Sequence, residues 1–185
     1  MPMNRLLTTV CAALLSLPGW AQRAKPPGGG GGSCPPQAAQ CSVSLPVFNF
    51  GRQVVNTGTA PINSHNTISI TCTRSPVATG IDVTVNFTLK AEPAEPTRSM
   101  RDRSDGEYSY LRYFLYLDAA RTRHWGDGIQ YGTHAIQGTF FLDDRNRIGT
   151  LGYVIYGTID GAQAVHPGPK LGAVLNRLQY ETFCN

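Results

Sequence analysis

The sequence predicts an all-β sandwich. Three observations carry this: apolar and polar residues alternate with a period of two, the alternating runs are short, and Gly, Pro, Asn and Asp clusters separate them. No stretch presents a convincing amphipathic helix, so sheet packed on sheet is the economical architecture. A period of two sends successive side chains to opposite faces, giving each strand one face for a core and one for water.

Seven strands are expected. The first covers 42–50, just after Cys41. The second holds Ile68, Ile70 and Cys72 alternating with Thr67, Ser69 and Thr71. The third is the clearest, with Ile81, Val83, Val85, Phe87 and Leu89 set against Asp82, Thr84, Asn86 and Thr88. The fourth, 110–118, carries an aromatic run and leads into a polar, glycine-closed turn ending Trp125-Gly126-Asp127-Gly128. Tyr108, Tyr110, Tyr113, Phe114, Tyr116 and Trp125 form the densest aromatic cluster, which on two faces of one strand reads as core and edge packing rather than a sugar-stacking platform. Strands at 135–142, 151–159 and 173–183 complete the set; Asn176 interrupts the alternation of the last, between Val174 and Leu178.

The amino terminus has export character. Arg5 precedes an apolar run over 6–17, and Gly19-Trp20-Ala21 places small residues at both cleavage-determining positions, so 1–21 reads as a signal peptide removed after Ala21. The run is shorter than the roughly 20 residues of a spanning helix and is interrupted by Thr8 and Thr9. Cys11 follows Val10, where a lipoprotein signal has a small residue, so no lipid anchor is expected. Loss of Arg5 lowers the net charge from +4 to +3, too little and too dispersed to imply nucleic-acid binding. Residues 22–40 form a Gly/Pro-rich arm with Gly28 to Gly32 in succession, expected to be flexible; a phosphate-cradling loop would need a Lys-Ser/Thr ending and a preceding strand. Residues 41–185 are the body, of single-domain size and without a membrane span.

Four cysteines survive cleavage, Cys34, Cys41, Cys72 and Cys184, and in an exported chain they read as disulfides. Three connectivities are open. A Cys41–Cys72 bond would close a loop of about 30 residues and contribute about 3–4 kcal/mol in the chain-entropy model. A Cys34–Cys184 bond would fasten the arm beside the last strand, whereas Cys34–Cys41 would not. Zinc spacing is absent, and His65, His124, His134 and His166 lie far apart in turn-like settings, so no metal site is expected. Residues 143–147 lack the glycine and terminal glutamate of a calcium loop and read as a solvated hairpin turn. Asn86-Phe87-Thr88 matches a glycosylation sequon, for which a wet-face asparagine is sufficient explanation. No nucleophile motif accompanies the histidines, so catalytic, cofactor and metal residues are expected to be absent and no enzyme is expected.

A set of fragments in fixed order carries a family resemblance: Cys41 opening the first strand, Phe50-Gly51, Thr71-Cys72, Arg98-x-Met100, Leu115-Tyr116-x-Asp118, Trp125-Gly126-x-Gly128, and Tyr156-Gly157 before a last strand ending near Tyr180. Over roughly 40–180 the chain resembles the spore coat protein U domain, the pilin module of archaic chaperone–usher pili. The resemblance implies an immunoglobulin-like β-sandwich that lacks its final strand and is completed by a donor strand. It implies a groove lined by Val43, Leu45, Val47, Val174, Leu178 and Tyr180, filled first by a periplasmic chaperone and then, through an usher, by a neighbouring pilin subunit. Such an edge exposes unpaired backbone and aggregates unless another chain pairs with it. The implied route is export to the periplasm and then to a surface pilus or the medium, serving adhesion to a host or abiotic surface or biofilm formation.

The arm departs from this pattern. A donor segment should alternate apolar residues, yet 22–40 offers proline, which cannot donate to a ladder, and glycine, which packs nothing. The chain is therefore expected to accept a strand but not to give one, as a subunit at the distal tip would. The runner-up is a self-contained secreted adhesin whose loops over 121–131 touch a ligand through Trp125 and Tyr131. That reading requires Trp125 to be exposed.

Overall fold

Val83 to Ala91 shows how the pattern becomes structure: residues 83, 85, 87, 89 and 91 are at most 3 % exposed, while those between them face outward. The computed structural model describes residues 9–11, 22–23, 34–45, 48–53, 60–101, 110–161, 163, 170, 172 and 174–185. Its strands are β1 (Thr9–Cys11), β2 (Gln22–Arg23), β3 (Ala39–Ser44), β4 (Gly51–Gln53), β5 (Ile62–Arg74), β6 (Val83–Glu92), β7 (Thr97–Arg101), β8 (Tyr110–Tyr116), β9 (Ile136–Leu142), β10 (Ile148–Ile159) and β11 (Leu175–Cys184). A short 3-10 turn, Pro76–Ala78, links β5 to β6.

Two sheets form the sandwich. One has the order β3-β5-β10-β8-β7 and the other β2-β11-β6-β9. All ladders within them are antiparallel except β2 with β11. A separate small ladder pairs β1 with β4. The core lies between the sheets, built from Ile68 and Ile70 of β5, Leu111, Tyr113 and Leu115 of β8, Ile155 and Ile159 of β10, and the inward row of β6. Phe48 and Phe50 fold in against Gly157 of β10, where an added Cβ would stand 2.4 Å from the Phe48 ring. Only a residue without a side chain fits beneath those rings.

Several sequence expectations are corrected here. The expected strand at 42–50 ends at Ser44, because Pro46 cannot donate to a ladder; Leu45, Phe48 and Phe50 are buried instead. Strand β7 was not expected, since its inward residues are Arg98 and Met100 and a buried arginine hides the apolar alternation. The turn at 143–147 is no hairpin: it crosses from β9 in one sheet to β10 in the other. The Asp143 carboxylate organises it by accepting the N–H groups of Arg145 (2.7 Å) and Asn146 (2.5 Å). His65 stands exposed within β5, not in a turn, and His166 lies outside the described residues.

The connectivity left open by the sequence resolves as Cys34–Cys184 and Cys41–Cys72, with Cα atoms 5.2 and 4.0 Å apart. The second is a cross-strand bond, since Cys41 and Cys72 are direct partners in the β3–β5 register. The first ties the segment before β3 to the end of β11, joining the two sheets. Near it a buried Arg74, 1 % exposed, pairs with Asp144 and donates to Ile81 O (3.2 Å), while Asp144 also accepts the Gly80 N–H (2.9 Å). One ion pair thus holds the end of β5, the start of β6 and the sheet-crossing turn together.

Candidate functional site

The residues that carried the family resemblance converge on a brace between the sheets. Arg98 of β7, 2 % exposed, donates to the carbonyls of Trp125 (2.8 Å), Pro93 (3.3 Å) and Pro96 (3.3 Å). Trp125, 1 % exposed, donates its backbone N–H to Leu115 O of β8 (2.9 Å) and its indole N–H toward Leu89 O of β6 (3.5 Å). Gly126 then accepts the Ala91 N–H of β6 (3.0 Å). The strap from 124 to 128 therefore bonds to both sheets. An added Cβ on Gly126 would meet Thr133 at 2.5 Å, and Gly128 adopts φ +76°, so both glycines are required by space or backbone.

The remaining motif residues tighten the same region. Asp118 accepts the N–H groups of Thr122 (3.0 Å) and Arg123 (2.8 Å), closing the turn that delivers Trp125. Met100 is buried opposite Leu111. Tyr116 and Tyr156 are register partners whose rings face outward; Tyr116 packs on His124 at 4.5 Å between centroids, and Tyr156 sits 6.3 Å from His65. Tyr110 is 53 % exposed and Tyr113 only 2 %, so the aromatic cluster divides between the two faces of β8.

Burial sets the electrostatics of the brace. It lowers the Arg98 pKa, which the nearby Tyr113 partly offsets, and it pushes the Tyr113 phenol up to about 12 against the opposing pull of Arg98. The Tyr113 hydroxyl has no hydrogen-bond partner among the described residues. His124 is lowered by burial and then by the Arg98 charge. Asp127 is held low by the N–H groups of Gln130 and Ile129, which fix the exposed turn beyond the strap. Among the described residues no group of three or more His, Cys, Asp or Glu side chains could hold a metal ion. No helix among them is long and apolar enough to cross a membrane.

The second candidate feature is the side of the sandwich bounded by β3 and β11. Both are outermost in their sheets apart from the two-residue β2. Their inward residues are less covered than those one strand deeper. Val43 is half-buried although its register partner Ile70 is fully buried, and Tyr180 is half-buried although its partner Phe87 is 3 % exposed. Of the six residues expected to line a groove, Leu45, Val174 and Leu178 are buried, Val43 and Tyr180 are half-buried, and Val47 lies outside the described residues. Asn176 occupies the same inward face of β11, opposite Ala91. The β11 edge carries one ladder that the sequence did not announce, Gln22–Arg23 running parallel to Gln179 and Tyr180.

The family model of the Spore Coat Protein U domain matches residues 34–170, from the first disulfide cysteine through the brace. The chain belongs to the spore coat protein U domain family. This domain is a structural, pilin-like module rather than an enzyme, associated with pilus- or fimbria-type surface structures outside the cell. No curated protein matches the chain. In this spore coat U domain Arg98 and Trp125, which carried the resemblance in the sequence, are buried in the brace, and the burial of Trp125 removes the anchor of the loop-borne ligand site entertained from the sequence. Period-two patterns pointed to β11 and β3, but not to the exposure gradient, because that depends on which strands have no outer neighbour.

Proposed function

We propose that the chain is a pilus subunit whose groove between β3 and β11 accepts a strand, first from a periplasmic chaperone and, after passage through an usher, from another subunit. The observation that supports this is the half-exposure of the inward side chains Val43 and Tyr180 on these two border strands, whose register partners Ile70 and Phe87, one strand deeper, are buried. An added strand would pair along the edge of β11 that faces away from β6 and cover Tyr180 and Val43, gaining affinity from the ladder and register from alternate side chains. Partial burial of such residues costs stability in the free subunit and is recovered on binding.

The Cys34–Cys184 bond favours the distal tip for this subunit, since it fastens the chain ahead of β3 to its own β11. The segment preceding it is proline and glycine, unfit to fill another subunit's groove. Attachment to a host or abiotic surface, or biofilm formation, belongs to the same reading. The side chains available for such a contact at the strap end are Ile129 and Tyr131, 76 % and 63 % exposed, on a turn fixed by Asp127.

The test is periplasmic expression with and without the chaperone encoded beside the gene. The proposal expects aggregation or degradation of the chain alone and a soluble one-to-one complex with the chaperone. A stable monomer that ignores the chaperone would contradict it.

A further inference from the structure

Resting on that reading, we infer that the acceptor edge is capped in cis by the chain's own amino terminus, with Gln22–Arg23 as a resident strand that an incoming strand must displace. Two structural observations and one expectation from the sequence meet here. Gln22 and Arg23 pair in parallel with Gln179 and Tyr180, on the outer edge of β11. The disulfide from Cys34 to Cys184 anchors the following chain at the far end of that same strand. Finally, export processing after Ala21 would make Gln22 the first residue, so the chain would begin at its own edge.

Direction and length agree. A parallel strand leaving Tyr180 heads toward Cys184, where Cys34 is bonded. Tyr180 lies four residues before Cys184, a span of about 13 Å at the rise of a strand. Arg23 lies eleven residues before Cys34, and a Gly-rich chain of that length has an end-to-end distance of roughly 18 Å. A tether whose reach is close to the span it must cover gives its end an effective concentration in the millimolar range. Two residues of ladder, far too weak to hold a separate peptide, are then sufficient to occupy the edge.

The composition of the arm limits this strand by design of its chemistry. Pro26 and Pro27 have no N–H to donate and the five glycines have no side chains to dock, so the sequence of the arm is unsuited to a long strand. The resident strand therefore blunts the exposed edge against pairing between copies, yet yields to a donor that pairs along all of β11 and fills the space by Tyr180 and Val43. The same disulfide that keeps this arm from reaching a neighbour holds it in place as a cap.

Hydrogen exchange of the full exported chain, read by mass spectrometry on fragments covering 178–182, tests the inference. Arg23→Pro should speed exchange in that segment by at least about threefold while leaving the β6–β9 ladder unchanged. Cys34→Ser combined with Cys184→Ser, which leaves Gln22 and Arg23 intact but untethered, should do the same. Equal exchange in wild type and Arg23→Pro would overturn the inference whether or not the double variant folds. The chaperone complex separates this from the wider reading: protection of 178–182 by the chaperone with no effect of Arg23→Pro removes the cap alone, whereas no protection by either removes strand acceptance as well.

Discussion

Arg98 and Trp125 illustrate how little of a residue's role is written in its type. The sequence left Trp125 two roles, packing within the aromatic cluster or an exposed ligand anchor, and gave Arg98 none beyond its place in a motif; both are buried, with the Arg98 guanidinium donating to the Trp125 carbonyl. What makes this workable is the number of carbonyls that Arg98 serves. Replacing Trp125 by Ala should therefore destabilise the domain by about 3–5 kcal/mol, measured by denaturant unfolding, and abolish no ligand site. The Tyr113 phenol gives a pH prediction of definite sign. Its folded pKa, about 12, lies above the ordinary tyrosine value of 10.0, so its contribution is intact below pH 10 and is lost as pH rises through about 12. Stability should fall by about 3 kcal/mol across that window, and Tyr113→Phe, which also removes a buried hydroxyl without a described partner, should flatten the fall. On the acid side, His124 is depressed in the fold, so stability should decline as pH drops below the ordinary histidine value of 6.5, and His124→Gln should reduce that slope.

At the level of elements, a strand was legible where its inward row was mainly apolar. β6, the Ile68–Cys72 part of β5, and β8 through β11 were all anticipated to within a few residues. Where a buried charge replaced an apolar residue, as in β7, or where Pro46 broke a promising run, the pattern misled. The sheet-crossing turn was misread because sequence shows that a turn exists, not which sheet its flanks join. Cysteine pairing was undetermined for the same reason. The two bonds now carry distinct expectations: loss of Cys41–Cys72, closing 31 residues, should cost about 3–4 kcal/mol, and loss of Cys34–Cys184, closing 150, about 5 kcal/mol in the chain-entropy model, both read by unfolding of Cys→Ser pairs. The Gly157 contact predicts that Gly157→Ala, which drives a methyl into the Phe48 ring, lowers stability by about 1–3 kcal/mol with the disulfides unaffected.

For the molecule as a whole, two sheets are braced by the Arg98–Trp125 strap at one end and by Arg74–Asp144 with Cys34–Cys184 at the other, and among the described residues one long side is bordered by β3, β11 and a two-residue strand. Family membership fits a surface-fibre module, and the geometry gives that module a place where another chain could pair. The central claim is that β11 joins a strand from a different polypeptide. Photocrosslinking from position 180 in the periplasm, with position 101 on the opposite border of the sandwich as control, tests it most directly. The account predicts an adduct with the chaperone, and then with a neighbouring subunit, from 180 and none from 101; a protein that crosslinks only within itself from position 180 would contradict it.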